Sequence, residues 1–306
     1  MSKRPLFHLF DVTGIELEYM VVDRKSLKVL PIVDLLFRDV TGAITGDVDR
    51  GAVEWSNELV SHVVELKTAM PTPDIGDFRP LFHRDVREIN AALQGHGAML
   101  LPTAAHPLMD PFTETVIWPH EYNEVYALYN RIFDCRGHGW SNLQSTHLNL
   151  PFADDDEFGR LHAAIRVLLP LIPAISASSP LLDGKPTGHL DARMHHYLHH
   201  QERIPQMMGS LIPERVFDKA AYTREIFDPI MKPLSPFDTD KVMDRHFANS
   251  RGAIARFDRG AIEIRVIDIQ ECPGMDLSIA EMIVAVLRRL VQGEWTDAER
   301  YRPIDE

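Results

Sequence analysis

The chain has 306 residues, 45% hydrophobic and 25% charged, a composition that excludes an intrinsically disordered protein and a disulfide-stapled scaffold. Its 45 acidic residues outnumber its 32 basic residues, and the net charge of −13 argues against a nucleic-acid surface, because phosphate binding needs a concentrated positive face. The two cysteines, Cys135 and Cys272, lie far apart and predict inert thiols in a reducing compartment.

No segment of the sequence is expected to insert into a membrane. Residues 1–8 lack the long apolar core and small-residue cleavage site of a signal peptide. Residues 163–182 form the longest apolar stretch, but Arg166 and three prolines interrupt it. We therefore expect a cytoplasmic protein with no membrane partner.

The first predicted element is a strand over residues 14–23, where apolar residues alternate with Glu16 and Glu18 at a period of two. The remaining elements of the N-terminal half follow from β-branched runs, helical spacing and glycine or proline boundaries. They are strands at 28–33, a short pair within 43–56, strands at 59–68 and 98–103, and helices at 77–93 and 122–133.

The C-terminal half continues the mixture of strands and helices. The predicted elements are a strand at 143–150, a helix from Asp154 or Asp155 to about 169, a helical stretch at 190–208, a hairpin at 253–269 and a helix at 278–291. Hairpins replace strict βαβ alternation, and turn signals are spread evenly. The sequence therefore predicts an α+β fold with a mostly antiparallel sheet, in a single domain over residues 1–306.

Glu16 and Glu18 form an acidic pair on the first strand. Because they are two residues apart, both point to one face, where two carboxylates repel each other. A magnesium ion prefers oxygen ligands and shares its shell with phosphate and water oxygens, so it would offset that repulsion. The spacing alone is more typical of a solvated strand edge.

Glu65 lies in an apolar run, and a carboxylate in a central strand must be paired or bound to a metal. Glu58 precedes it by seven residues, an odd spacing that would place the two on opposite faces of an unbroken strand. We therefore expect Glu58 in the turn before the strand, or a bulge between the two residues. Taken alone, Glu58 is more typical of a surface position.

Two further strands carry polar pairs. Glu263 and Arg265 share a face and form either a structural ion pair or a metal ligand beside an arginine that binds phosphate or carboxylate. His147 and Asn149 also share a face. A lone strand histidine is usually structural, although a neutral imidazole could complete a metal shell.

Five segments in chain order carry a resemblance to a known family. They are Gly-Ile-Glu-Leu-Glu at 14–18, Glu58 with Glu-Leu-Lys-Thr at 65–68, the strand of His147, Ser-Ala-Ser-Ser-Pro at 176–180 followed by Gly184 and Arg193, and Glu-Ile-Arg at 263–265. Together they resemble the glutamate–cysteine ligase type 2 family, also called carboxylate–amine ligases. The chain departs from the family pattern in looking shorter and in carrying Asn149 where a second histidine is common.

The resemblance implies a fold like that of glutamine synthetase and guanido kinases, with a curved antiparallel sheet forming a funnel flanked by helices. The metal ligands that it implies are Glu16, Glu18, Glu58, Glu65, His147 and Glu263. The other implied roles are catalysis for Arg265 and Glu65, substrate binding for Arg193, Arg265 and Asn149, and ATP binding for Lys67 and Arg265.

The activity implied by the resemblance is that of an ATP-dependent ligase that uses Mg²⁺, or Mn²⁺, to form an amide through an acyl phosphate. Its partners would be a small carboxylic acid and an amine, glutamate and cysteine at the family level, with no nucleic acid. A homodimer is the default expectation. The sequence has no Walker loop and no Gly-x-Gly-x-x-Gly, so metal and sheet would hold the nucleotide.

Other functions stay open on the same residues. They are a metal-dependent amidohydrolase, a phosphotransferase to a guanidino group, and a non-catalytic ligand-binding relative. Several conspicuous patterns favour structural roles instead: the histidines at 195, 196, 199 and 200 lack a His-Glu-x-x-His motif, the acidic run at 154–157 suits a helix start, and the serines at 178 and 179 lack a Gly-x-Ser-x-Gly context.

Overall fold

The computed structural model describes residues 6–304, and an antiparallel sheet of eight strands forms its centre. The strands are β1 (Gly14–Asp23), β2 (Asp47–Asp49), β3 (Val53–Asn57), β4 (Val63–Thr68), β5 (Ala98–Leu101), β6 (Ser145–Pro151), β7 (Leu181–Leu182), β8 (Lys185–Pro186), β9 (Ala253–Arg256) and β10 (Ala261–Asp268). The order across the large sheet is β2, β3, β4, β1, β6, β10, β9, with β5 paired to the end of β1, while β7 and β8 form a separate hairpin. Every pairing among these ten strands is antiparallel.

Helices surround the sheet. They are α1 (Val33–Thr41), α2 (Arg79–Leu93), α3 (Pro111–Glu114), α4 (Asn123–Phe133), α5 (His138–Ser141), α6 (Asp155–Leu168), α7 (Ile172–Ser176), α8 (Ala192–Tyr197), α9 (Lys219–Tyr222), α10 (Asp228–Leu234), α11 (Arg245–Ala248), α12 (Pro273–Val291) and α13 (Ala298–Tyr301). A π-helical segment, Thr223–Phe227, joins α9 to α10.

The two faces of the sheet have opposite characters. Ile15, Leu17 and Tyr19 of β1 are buried in the main hydrophobic core, together with apolar side chains of α1, α2, α6 and α12. Since side chains alternate along a strand, Glu16 and Glu18 point to the other face. The fold thus buries one face of the sheet in a core and leaves a polar face to line a site.

The α+β class and the antiparallel sheet are confirmed, whereas the funnel shape stays a prediction. The strand predicted at 28–33 is wrong. The structure has a single isolated bridge there, between Val22 and Val29, and the helix α1 begins at Val33. Pro31 helps to explain this difference, because it has no N–H to donate to a neighbouring strand. Residues 1–5, part of the segment that we do not expect to be a signal peptide, lie outside the described residues.

The helical stretch predicted at 190–208 is much shorter in the structure. The helix α8 ends at Tyr197, and a 3₁₀ turn follows only at Pro205–Met207. Pro205 accounts for the break before that turn, because proline disfavours helical backbone in the residue that precedes it.

One helical run, Asp155–Ser176, is long and apolar enough to cross a membrane by length and composition alone. Within its most apolar window, 61% of the residues are buried inside the molecule. Both α6 and α7 contribute side chains to the main core, which is the pattern of a core helix.

Candidate active site

The ten residues predicted to form the site line one cavity of about 1320 Å³ over the polar face of the sheet. They are Glu16, Glu18, Glu58, Glu65, Lys67, His147, Asn149, Arg193, Glu263 and Arg265. The structure therefore brings together side chains from both ends of the chain.

Strand register explains how the centre of this site assembles. Glu18 of β1 lies directly opposite Glu65 of β4, and Glu16 lies opposite both Lys67 of β4 and His147 of β6. Residues that oppose each other across an antiparallel pair point to the same face. Five polar side chains from three adjacent strands consequently meet on one side of the sheet.

The register continues toward the far edge of the sheet. Asn149 of β6 lies between Gly14 of β1 and Glu263 of β10. A Cβ atom at Gly14 would approach the Cβ of Asn149 to 3.2 Å, so glycine leaves room for that side chain. The Nδ2 of Asn149 donates to Oε1 of Glu16 at 3.0 Å, which ties the edge of the site to its centre.

Two groups of side chains are close enough to hold a cation each. Glu16, Glu65 and His147 form the first group, and Glu18, Glu58 and Glu65 form the second, with the ligand atoms of each group within 4.8 Å of one another. Glu65 belongs to both groups. Glu58 lies in the connection between β3 and β4, as predicted, and reaches the site from there.

The crowding of carboxylates shifts their pKa values. Burial, with the nearby charges of Glu16 and Glu58, raises the pKa of Glu65 well above its usual range. Burial and the charge of Glu18 raise the pKa of Glu58 to about 7. A divalent cation would offset this repulsion, and its preferred ligands are the carboxylate oxygens and imidazole nitrogen that these residues supply. The donor set thus fits Mg²⁺ or Mn²⁺.

His147 and Glu16 form a buried ion pair within the first group. The Nδ1 of His147 lies 2.9 Å from Oε2 of Glu16, and its Nε2 lies 2.9 Å from Oγ of Ser145. Burial opposes the charge on His147, but the carboxylates of Glu18 and Glu16 outweigh it and raise the pKa of His147 to about 9. Burial likewise opposes the charge on Glu16, yet the hydrogen bond and charge of His147 lower the pKa of Glu16 to about 2.

Glu263 lies in neither cation group. Its Oε2 accepts a hydrogen bond from Nη1 of Arg256 at 3.1 Å, and its Oε1 lies 3.1 Å from Nε of Arg265. The shared face of Glu263 and Arg265 is confirmed, since both line the cavity. The metal-ligand role of Glu263 stays a prediction, and the partners that the structure gives it are two arginines.

The other predicted cations are also held by carboxylates. The Nζ of Lys67 lies 3.1 Å from Oε1 of Glu54 and 3.3 Å from Oε1 of Glu65. The Nε of Arg193 donates to the fully buried carboxylate of Asp268. Lys67 and Arg193 therefore enter the site with fixed orientations.

Several lining residues were not predicted. They are Asp47, Glu54, Ser56, Ser145 and Arg256 on the sheet, with the aromatic residues Tyr122, Tyr126, Tyr129, Trp140 and Tyr197. Ser145 stands two residues before His147, so the period of two could have found it. The helical spacing of 122, 126 and 129 predicts α4 correctly, but it does not show which element that face of α4 meets.

The histidine run and the acidic run noted in the sequence lie outside the cation groups. Among residues 6–304, both groups of close potential metal ligands lie in the cavity, and the histidines at 195–200 form none. Asp154 caps α6 by accepting a hydrogen bond from the backbone N–H of Glu157 at 2.9 Å, so the capping prediction is confirmed.

The paired serines after α7 also serve the fold. Ser178 donates to the carboxylate of Asp268 through its backbone N–H, and Ser179 donates to the same carboxylate through its hydroxyl. Both hydrogen bonds are 2.9 Å long, and they fix a buried acid that itself holds Arg193. The serines therefore support the wall of the cavity.

Comparison with known proteins identifies relatives of the chain. The model of glutamate–cysteine ligase family 2 matches residues 12–303. A protein from Archaeoglobus fulgidus named "Uncharacterized protein" is 34% identical over 275 residues, covering 90% of this chain and 73% of that one. A protein from Bradyrhizobium sp. named "Putative glutamate--cysteine ligase 2" is 28% identical over 219 residues, covering 70% of this chain and 48% of its own length.

A solved structure has a similar fold. The crystal structure of a bifunctional glutathione synthetase from Pasteurella multocida superposes with a TM-score of 0.53 at 13% sequence identity. The similarity covers 94% of this chain and 42% of that one, so this chain spans less than half of the synthetase. At this identity the likeness concerns the fold alone.

Proposed function

The chain belongs to glutamate–cysteine ligase family 2, and we propose that it is a ligase that uses ATP to join a carboxylate to an amine. The observation that carries the proposal is the pair of cation groups that share Glu65 on the floor of the cavity. Small-molecule pockets are typically about 300–1,000 Å³, so a cavity of about 1320 Å³ has room for a nucleotide and a second substrate.

The proposed reaction has two steps. An oxygen of the substrate carboxylate attacks the γ-phosphorus of ATP, ADP leaves, and an acyl phosphate forms. The amine, after losing a proton, attacks the acyl carbon and displaces inorganic phosphate, which leaves an amide. Neither step needs a nucleophile from the enzyme, so the side chains mainly position substrates and balance charge.

The side chains of the cavity divide these tasks. Glu16, Glu18, Glu58, Glu65 and His147 would hold Mg²⁺ or Mn²⁺, which supplies positive charge against the phosphates. Arg265, oriented by Glu263, would contact the transferred phosphoryl group, because its planar fork fits phosphate oxygens. Lys67 would contribute positive charge on the side of the cavity formed by β4.

We also propose that the sheet has the funnel form of glutamine synthetase and that the chain acts in the cytoplasm. The antiparallel order and the cavity over one sheet face support the first point. The second is supported by the free state of Cys135 and Cys272, which suits a reducing compartment.

A screen of ADP release tests the proposed function. The purified chain is incubated with ATP and Mg²⁺ over pairs of carboxylic and amino substrates, and product mass is measured for every pair that releases ADP. We expect release that requires both an acid and an amine, together with an amide product. Amide hydrolysis without ATP, phosphoryl transfer to a guanidino compound, or ATP binding without turnover on any pair would contradict the proposal.

A further inference from the structure

Three side chains in and just after α8 face one wall of the cavity. Arg193, Tyr197 and Gln201 are spaced four residues apart, and all three line the cavity. The hydroxyl of Tyr197 donates to the carbonyl oxygen of Ser250 at 2.9 Å, and Nε2 of Gln201 donates to Oγ of Ser250 at 2.7 Å. The Nη1 of Arg193 lies 3.5 Å from the carbonyl oxygen of Arg265.

These contacts place Arg193 and Gln201 beside the same stretch of backbone. The backbone N–H of Arg265, the neighbour of Arg193, donates to the carbonyl oxygen of Gly252 at 2.9 Å. Gly252 is two residues from Ser250, the partner of Gln201. Arg193 and Gln201 therefore contact neighbouring parts of one wall of the cavity.

Both side chains are 2% exposed, and each keeps one polar atom without a hydrogen-bond partner among the described residues. These atoms are Nη2 of Arg193, a donor, and Oε1 of Gln201, an acceptor. Leaving buried polar atoms unpaired is unfavourable, so native structures rarely do so without a reason. Arg256 and Arg265 also line the cavity and have an Nε without a hydrogen bond, but these atoms lie 3.5 and 3.1 Å from carboxylate oxygens of Asp258 and Glu263. Gln144 has unpaired polar atoms too, but it does not line the cavity.

The orientation of Arg193 is set by its neighbours. Its Nε donates to Asp268, whose carboxylate also accepts from the backbone N–H of Ser178 and the hydroxyl of Ser179, both at 2.9 Å. Asp268 is fully buried, so this arrangement cannot rotate freely into solvent. The interaction with Asp268 engages Nε of Arg193 and leaves its Nη2 available to a ligand.

We propose that Gln201 is a specificity-determining residue of the ligase. Its Oε1 accepts a hydrogen bond from a donor group of the substrate, and that donor lies next to a carboxylate bound by Arg193. An α-amino acid head group has this chemistry, with the carboxylate oxygen on Nη2 of Arg193 and an ammonium N–H on Oε1 of Gln201. The inference rests on the proposed function. Because Arg193 binds the carboxylate of the head group, the carboxylate that reacts must be a second one on the same substrate, directed to the cation groups.

Binding measurements without ATP test this inference. Calorimetry in Mg²⁺ compares glutamate with glutarate and aspartate with succinate, since each pair differs by the amino group. We expect one amino acid to bind about 10- to 100-fold more tightly than its analogue, because the analogue leaves Oε1 of Gln201 unpaired. Equal binding within both pairs, or no binding of any of the four acids, would overturn the inference.

Variants assign the discrimination to Gln201. Gln201→Leu should bind the amino acid and its analogue alike, whereas Gln201→Glu keeps an acceptor oxygen and should keep the preference. Gln206→Leu, an exposed change in the same segment, should behave as wild type. Circular dichroism confirms folding of each variant, and loss of the preference in Gln201→Glu would overturn the inference even if Gln201→Leu does not fold.

The binding test and the ADP screen fail independently. If the preference for the amino acid depends on Gln201 but no ADP is released with any substrate pair, the ligase function is contradicted and the head-group site is retained. If the Gln201→Leu variant releases ADP and still prefers the amino acid over its analogue, only the role of Gln201 is contradicted.

Discussion

Glu65 is the residue on which the two cation groups converge. It lies on β4 between the valines at 63 and 64 and Leu66, and its Oε1 accepts a hydrogen bond from Oγ of Ser56 at 2.7 Å. The Nζ of Lys67 also lies 3.3 Å from this oxygen, but Glu54 shares that ammonium at 3.1 Å. These partners do not outweigh burial and the charges of Glu16 and Glu58, which raise the pKa of Glu65 well above its usual range. Glu65 is therefore the side chain whose charge most needs a cation.

The substitution Glu65→Gln should separate function from stability. We expect ADP release to fall on the order of 100-fold or more, because both cation groups lose a charged ligand. The melting temperature should stay at or above that of wild type, since repulsion with Glu16 and Glu58 is relieved. Glu54→Gln, which changes a partner of Lys67 outside both groups, is the matched control and should lose less activity. Wild-type ADP release by Glu65→Gln would refute the assignment.

A second residue-scale prediction concerns acid stability and His62. This side chain is fully buried, and its Nε2 lies 2.8 Å from the carbonyl oxygen of Ser141. Burial lowers the pKa of His62 to about 4, although the hydrogen bond to Ser141 opposes the shift. In the unfolded chain the pKa of this histidine is about 6.5. Between that pH and the lower pKa of the folded state, the unfolded state binds a proton at His62 that the folded state does not bind.

The free energy of unfolding should therefore fall as the pH decreases from about 6.5 to about 4, by about 3 kcal/mol from His62. Urea unfolding at a series of pH values measures the slope. His62→Gln removes the titration and should flatten the slope relative to wild type, whereas His189→Gln, at an exposed position, should leave it unchanged. Identical slopes for His62→Gln and wild type would show that another group is responsible.

At the scale of elements, local sequence predicts best where the pattern is regular. The hairpin of β9 and β10 follows from two apolar runs around a turn, and it is present as predicted. Residues 28–33 look like a strand, but the pairing with β1 ends at Leu30, whose backbone N–H donates to the carbonyl oxygen of Val21, and Pro31 has no N–H to continue it. No element was predicted at 34–41, where the structure has most of α1. Pairing partners are tertiary information that a single segment does not contain.

The site could be predicted in part for the same reason. Acidic residues within apolar strands, Glu16 and Glu65 above all, are anomalies that a sequence displays directly. The ion pair of His147 with Glu16 depends on β6 lying beside β1, and the unpaired atoms of Arg193 and Gln201 depend on the fold around that wall. Partners across strands are therefore what the sequence could not supply.

The start of α6 provides a test at the element scale. Asp154 accepts a hydrogen bond from the backbone N–H of Glu157 and lies next to the positive end of the helix dipole. Asp154→Ala should lower the free energy of unfolding by about 1 kcal/mol, as loss of an N-cap commonly does. Asp156→Ala removes an exposed charge of the same first turn and should cost less, as measured by urea unfolding. Equal losses would assign the effect to charge rather than to the cap.

At the scale of the whole molecule, one sheet supports two incompatible environments. Its one face carries apolar side chains into the core, while its other face collects carboxylates in a chain whose net charge is already −13. The repulsion among those carboxylates acts against the folded state and is absent when the strands separate. Anything that binds the carboxylates in the folded chain should therefore stabilise the entire fold.

Mg²⁺ and Mn²⁺ should accordingly raise the melting temperature of the ligand-free protein. A ligand at 100 times its dissociation constant stabilises the folded state by about 2.7 kcal/mol per site, which corresponds to several degrees for a chain of this size. Differential scanning fluorimetry at constant ionic strength, with NaCl replacing the divalent salt in the control, separates binding from screening. Glu65→Gln should lose most of the shift because Glu65 serves both groups, whereas Glu281→Gln, at an ion pair outside the cavity, should retain it. An equal shift in Glu65→Gln and wild type would place the cations elsewhere, and the acidic face would then need another explanation.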